Sequence, residues 1–364
     1  GAKTGATVDV TISGDDLDDV NAIVFSHPGI KATQKTVEPG PFDQGPQIVI
    51  NQFVVTVAAN VPVGVYEARA VGKYGTSNPR AFSVGDIAEA VEAEPNNLLE
   101  QATEIVHPIV VNGRSDAGGD VDFFKFKAAA RQRITLSGYA RRIDSPMDIV
   151  VTAYDGEGRQ LGSSRDGLAG DSLVDFTTTT AGDYYVKVHD AAFRSGAEFI
   201  YRLHIGVLPV IDFVFPPAAA AGGNRPMTLY GRNLPGGKPT TLSVDGVRLE
   251  QLSVNIPIPG GAAAQSLNVD TLLMPAAAAL DATSYRVKSP QGSSNPVTVG
   301  IATAPPVMEA EPNNQPAQSQ ALQLPCEVMG RFDSLRDRDW FRFDAKAGES
   351  ITIEVISQRM GIHS

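Results

Sequence analysis

The tetrapeptide Glu94-Pro95-Asn96-Asn97 recurs as Glu311-Pro312-Asn313-Asn314, 217 residues further on (311 minus 94). The same offset carries Gly113-Arg114 onto Gly330-Arg331, and Asp116, Asp120 and Asp122 onto Asp333, Asp337 and Asp339. It carries Phe124 and Phe126 onto Phe341 and Phe343, and Gly75, Ser77, Asn78 and Pro79 onto Gly292, Ser294, Asn295 and Pro296. Gly14 and Leu17 likewise fall on Gly231 and Leu234. One offset held from residue 14 to residue 126 is duplication, so the 364-residue chain must fold as a unit used twice.

Each unit divides into halves, giving segments 1–86, 94–206, 208–301 and 309–364. Runs such as Thr7 to Ile12, Tyr66 to Ala70, Arg133 to Tyr139, Asp148 to Tyr154, Asp183 to His189 and Phe199 to Val207 alternate at period two. Turn signals such as Asp155-Gly156-Glu157-Gly158 and Ala181-Gly182-Asp183 separate them. With Gly 35 and Pro 25 and no long amphipathic helical pattern, the expectation is an all-β chain of tandem β-sandwiches. Segment 315–325 reads as a short helix or a loop. The second copy reaches only positions matched by about residue 147 of the first, so its last sandwich is expected to be incomplete. The absence of an initial Met and the stop at Ser364 suggest a piece of a longer protein.

Charge excludes several partners. A net charge of −11 disfavours nucleic acid, whose phosphates need clustered Lys and Arg, and disfavours an anionic membrane surface. No apolar run approaches the roughly 20 residues of a membrane span, so no membrane insertion is expected. The single cysteine, Cys326, rules out an internal disulfide framework and a Cys-based zinc site.

The stretch Pro216-Pro217-Ala218 to Gly222-Gly223, then Met227 to Leu234, resembles the opening of IPT/TIG immunoglobulin-like domains. On that resemblance, 1–86 (lacking its leading strand) and 208–301 are TIG-like sandwiches. Glu94 to Asn97, Asp120 to Phe126, Ser145-Pro146-Met147-Asp148 and Gly182 to Val188 resemble the bacterial pre-peptidase C-terminal (PPC) domain. This implies a jelly-roll-like sandwich over 94–206 and a partial one over 309–364. It also implies a bacterial protein that is secreted, periplasmic or at the cell surface.

Nine acids lie between residues 86 and 122 (Asp86, Glu89, Glu92, Glu94, Glu100, Glu104, Asp116, Asp120, Asp122) against one base, Arg114. Carboxylates so crowded raise one another's pKa, and a hard divalent cation relieves them. In extended chain Glu92, Glu94 and Asn96 point one way, as do Asp120 and Asp122. Asp116 stands in the Gly-rich loop before them. Two oxygen-rich segments could thus close on one ion and staple the linker 86–97 to the domain body. In the resembled family these segments form a calcium site. Carried over by position, that implies Ca2+ held by Glu92, Glu94, Asn96, Asp116, Asp120 and Asp122, and again by Glu309, Glu311, Asn313, Asp333, Asp337 and Asp339. The alternative is solvated acids around a Pro-Asn-Asn turn. Arg336 and Arg338 are expected to weaken the second site or replace its ion by salt bridges. No EF-hand loop occurs.

Catalytic patterns fail on spacing. Gly170-Asp171-Ser172-Leu173 spells a lipase string, but no histidine stands in the D-x-x-H pattern that would serve it. His27, His107, His189, His204 and His363 lack zinc-binding spacing. Asp148 and Asp155 as paired carboxylates for glycoside chemistry are outweighed by a structural role. No catalytic residue is assigned. The reading is a calcium-stabilised accessory or scaffold array, with other domains of the same parent protein as partners. Two alternatives stay open: an adhesion module for an extracellular polymer or surface protein, such as collagen-like fibres or polysaccharide, and the non-catalytic part of a secreted peptidase.

Overall fold

The computed structural model describes residues 1–265, 280–332, 334 and 336–360. Among them there is no α-helix; every regular element is a strand or a single 3-10 turn. No helix among the described residues is long and apolar enough to cross a membrane. The chain divides into two compact units, one of residues 1–209 with Lys288–Ser293, the other of most of Val210–Ser364.

The first unit opens with β1 (Ala2–Lys3), β2 (Thr7–Thr11), β3 (Ala22–Phe25), β4 (Ile30–Val37), β5 (Gln47–Val57), β6 (Gly64–Gly72), β7 (Gly75–Thr76) and β8 (Arg80–Gly85). Strands β1, β8, β6 and β3 form one sheet, with β7 paired to β6, and β2, β5 and β4 form another. Period-two alternation turns Phe53, Val55 and Val57 of one sheet onto Ala2, Ile23, Phe82 and Val84 of the other, which makes a sandwich core.

Next come β9 (Ala88–Val91), β10 (Thr103–Glu104), β11 (Ile109–Arg114), β12 (Asp122–Ala128), β13 (Arg133–Tyr139), β14 (Ile149–Asp155), β15 (Gln160–Ser164), β16 (Leu173–Thr177), β17 (Gly182–Asp190) and β18 (Ile200–Gly206). They form two five-stranded sheets, β10-β12-β17-β14-β15 and β16-β13-β18-β11-β9. Phe124, Phe126, Val151, Val186 and Val188 from the first sheet meet Val111, Ile134, Leu136, Leu203 and Ile205 from the second. Part of the segment read as a linker, Ala88–Val91, is itself a strand. Two residues after β8, β9 runs parallel to β11, with Ala88 opposite Ile109 and Val91 opposite Asn112. Its Glu89 accepts both terminal nitrogens of the buried Arg202 at 2.8 and 3.0 Å. Backbone pairing thus holds Ala88–Val91 within the stretch 86–97 that the sequence reads as a linker.

The second unit carries β19 (Val210–Phe215), β20 (Ala218–Ala220), β21 (Asn224–Arg232), β22 (Lys238–Val244), β23 (Val247–Pro257), β24 (Ala282–Tyr285) and β27 (Val297–Ala302). The hairpin β25 (Lys288–Ser289) and β26 (Gly292–Ser293) groups with the first unit. Sheets β19-β21-β23-β22 and β20-β27-β24 enclose Ile211, Met227, Leu229, Ile256, Val297 and Val299. Then follow β28 (Pro306–Met308), β29 (Gln320–Leu322), β30 (Glu327–Met329) and β31 (Phe341–Phe343). The ambiguous stretch 315–325 resolves into a 3-10 turn at Pro316–Gln318 and strand β29. Pairs β28-β30 and β29-β31 are parallel, as β9-β11 and β10-β12 are in the first copy.

Candidate metal centre

The acidic centre forms where β9 ends and β12 begins, with Tyr201 of β18 reaching both Glu92 and Asp122. Past β9, the Glu92 N–H donates to Asn112 O at 3.0 Å, which turns its carboxylate inward. There Oε1 accepts the Arg114 N–H at 2.6 Å and Oε2 accepts the Tyr201 hydroxyl at 2.8 Å. Glu94 Oε2 accepts the Asn96 N–H at 3.0 Å, a tight local turn that leaves Asn96 fully buried. Asn96 O in turn accepts the Phe123 N–H at 2.9 Å, and Asn97 Oδ1 accepts the Val121 N–H at 3.0 Å. These bonds dock the Glu-Pro-Asn-Asn segment against the start of β12.

Carboxylate oxygens of Glu94, Asp120 and Asp122 lie within 4.8 Å of one another. The Asn96 amide stands 3.1 Å from both Asp122 Oδ1 and Glu94 Oε1. With its nitrogen on that side it donates to both; with its oxygen there it adds a neutral ligand to the carboxylates. Asp122 and Asp120 are 2% and 6% exposed, so their charges sit largely away from water. Burial first, and then the charge of Glu92, push Asp122 up to about 8. Burial pushes Glu92 up to about 7 against its bonds to Tyr201 and Arg114, with Glu94 and Asp120 adding repulsion. Tyr201 Oη lies 2.8 Å from both Glu92 and Asp122 yet carries one proton. The cluster therefore needs added positive charge, as protons or as a metal ion.

Asp116 is placed differently. Its side chain pairs with Arg114, and its N–H donates to Asp120 Oδ2 at 2.7 Å, so it orients Asp120 from outside the carboxylate group. Two contributors went unread in the sequence. Tyr201 looks like one more inward residue of β18, though a buried tyrosine needs a partner for its hydroxyl. Gly113 leaves room for the cluster: a Cβ there would lie 2.3 Å from Tyr201 Oη and 2.4 Å from Glu92 Oε2. Its repeat partner Gly330 faces Glu309 Oε2 at 2.8 Å in the same sense.

The second copy rebuilds the backbone bonds that dock the Glu-Pro-Asn-Asn segment. Glu309 accepts the Arg331 N–H at 2.8 Å, and Glu311 accepts the Asn313 N–H at 2.9 Å. Asn313 O accepts the Trp340 N–H at 3.0 Å, and Asn314 Oδ1 accepts the Arg338 N–H at 3.1 Å. Glu309, Glu311 and Asp339, the counterparts of Glu92, Glu94 and Asp122, bring carboxylate oxygens within 4.8 Å. Here Asn313 Oδ1 and Asp339 Oδ1 are buried with no hydrogen-bond partner, the latter pushed up to about 6 by burial and its bond to Glu309. Asp337 places its N–H on Ser334 O at 3.2 Å, while Asp333 lies outside the described residues.

Calcium fits these donors: hard oxygens only, two or more carboxylates, and an amide carbonyl available in each copy. The catalytic look-alikes are structural. Ser172 is fully buried and donates to Ile149 O and Ser164 O, while Asp171 accepts the backbone N–H groups of Ala140, Arg141 and Arg142. Asp148 is held by Arg165, and Asp155 by Arg159. His107 and His189 bond backbone carbonyls; His363 lies outside the described residues.

Residues 120–190 match the bacterial pre-peptidase C-terminal domain. The matched span begins at the centre's Asp120 and ends at Asp190, the last residue of β17. Among solved structures, the pre-peptidase C-terminal domain of collagenase from Bacillus anthracis is 16% identical. It covers 32% of this chain and 100% of its own, with a TM-score of 0.25. The periplasmic g-type lysozyme inhibitor PliG of Aeromonas hydrophila is 14% identical over 33% of this chain and 100% of its own, with a TM-score of 0.21. The secreted serine protease VesC from Vibrio cholerae is 10% identical over 55% of this chain and 46% of its own, also with a TM-score of 0.21. No curated protein matches.

Proposed function

We propose that the chain is a non-catalytic, calcium-stabilised accessory array of an exported bacterial protein, in which TIG-like sandwiches alternate with PPC-type sandwiches. The observation that carries the calcium reading is a carboxylate trio in each copy, Glu94, Asp120 and Asp122 in the first and Glu309, Glu311 and Asp339 in the second, with two buried oxygens of the second, on Asn313 and Asp339, lacking a hydrogen-bond partner. The match at 120–190 supports the accessory role. Bound calcium would supply positive charge there. Glu94, Asp120, Asp122 and the Asn96 carbonyl would hold it, Glu92 and Tyr201 would close one side, and Asp116 would orient Asp120.

Thermal melts of the chain in millimolar calcium and in chelator test the reading. An ion at one hundred times its Kd adds about 2.7 kcal/mol to whatever domain binds it. Coincident curves in the two conditions would sink it.

A further inference from the structure

The two sheets of the second sandwich present different outer faces. On β16-β13-β18-β11-β9 the outward residues Thr135, Ser137 and Arg202 are buried, so that face is closed. On β10-β12-β17-β14-β15, Tyr184, Val186 and Val188 of β17 turn into the core, which sends Tyr185, Lys187 and His189 outward, all partly exposed. The register gathers more rings around them. Tyr185 stands opposite Tyr154 of β14, and Lys187 opposite Phe123 of β12. Past the end of β17, Phe193 adopts a φ of 54°, a left-handed conformation rare for a bulky residue. Its ring stacks on His189 with centroids 4.8 Å apart, and it stays 49% exposed.

An independent observation is charge. Lys125 and Lys127 share Asp183, at 3.0 and 2.8 Å, whereas Lys187, in the middle of the row, has no acidic partner among the described residues. In a chain of net charge −11, this uncompensated ammonium between rings is complementary to an anionic group. Strand β17 is paired on both sides, so its backbone offers nothing to an added peptide strand, and recognition falls to side chains. Aromatic faces carry partial negative charge and attract the C–H faces of sugar rings. Tyr185 and His189, four residues apart, stand about 13 Å apart along the strand, so the row suits a polymer engaged at two places.

We propose that this face binds a uronate-bearing polysaccharide. Tyr185 with Tyr154, and Phe193 with His189, stack on separate sugar rings of one polymer, and Lys187 between them meets a carboxylate. Nothing in this surface rests on the calcium reading.

The 364-residue chain is passed over immobilised polygalacturonate and hyaluronate in chelator. Dextran serves as a neutral polysaccharide and polyglutamate as an acid without sugar rings. The expected result is saturable binding to at least one uronate polymer, weakened by high salt, with no comparable binding to dextran or polyglutamate. Tyr185→Ala and Phe193→Ala should each weaken it about tenfold, and Lys187→Gln about fivefold. Melting curves establish that each variant is folded; should Tyr185→Ala fail that check, Phe193→Ala and Lys187→Gln carry the test. Binding to neither uronate polymer overturns the proposal. So does equal binding to dextran or polyglutamate, or binding that the folded variants leave unchanged. Because the assay runs in chelator, its failure is distinguishable from failure of the calcium reading.

Discussion

At the scale of single residues, the acidic centre is a balance between crowded charge and the few groups that hold it. Asp122→Asn removes a buried charge. It is expected to raise the chelator-state stability at pH 8 by about 1–2 kcal/mol while abolishing the calcium-dependent gain. Paired melts of variant and parent read both effects, and a retained calcium gain would count against Asp122 as a ligand. Tyr201→Phe removes the hydroxyl shared by Glu92 and Asp122 and should cost about 1–3 kcal/mol. Gly113→Ala drives a methyl into Tyr201 and Glu92, so the same melts should show a loss of about 1–3 kcal/mol together with weakened calcium binding by titration calorimetry. The carboxylates were legible because they are many, charged and repeated. Tyr201 and Gly113 were not, because one acts through a hydroxyl brought from a strand 79 residues beyond Asp122, and the other through the atoms it lacks.

Among the elements, strands were the readable part, because alternation sets their inward faces independently of what lies opposite. Arg133–Tyr139 matches its predicted bounds, and β14, β17 and β18 differ from theirs by a residue at either end. The role of β9 was not readable: four residues with three small apolar side chains carry no signal for parallel pairing, which depends on where β11 lies. The Glu89–Arg202 pair gives that docking a test. Burial pushes the Glu89 carboxyl up, yet the Arg202 bonds and charge, with Asn112, hold it below its ordinary range. Glu89→Ala strands a guanidinium that is 3% exposed, and should cost about 3–5 kcal/mol, measured by urea unfolding. Hydrogen exchange should then rise first at Ala88–Val91.

For the whole molecule, the raised carboxyls of the acidic centres, Glu92, Asp122 and Asp339, pull stability down as pH rises. Glu92 and Asp122 keep protons in the folded state up to about 7 and about 8, while in the unfolded chain they release them near 4. Between those limits the native state binds more protons than the unfolded one, so stability falls as pH rises. In chelator the melting temperature should therefore decline from pH 5 to pH 8. In saturating calcium the decline should flatten, because the ion replaces the protons, and binding near pH 7 should release protons that a buffer-dependent calorimetric heat reveals. A melting temperature that is flat in chelator over this range would contradict the buried, charge-poor centre.

The register of β11 also decides how the second sandwich would answer to pulling. Ala88 of β9 and Ile205 of β18 flank the same residue, Ile109, so the chain comes in and leaves two strands apart, about 10 Å. Tension along the polypeptide would peel β9 and β18 from that end one pair at a time instead of shearing them together. Glu92 and Tyr201 lie at the opposite end of β11, beside Gly113. A rupture starting where the chain comes in would cross the four pairs of β9 and then meet the acidic centre, where a bound ion would resist it. Calcium at this position would work as a mechanical latch, setting the load at which the sandwich opens and pays out its length.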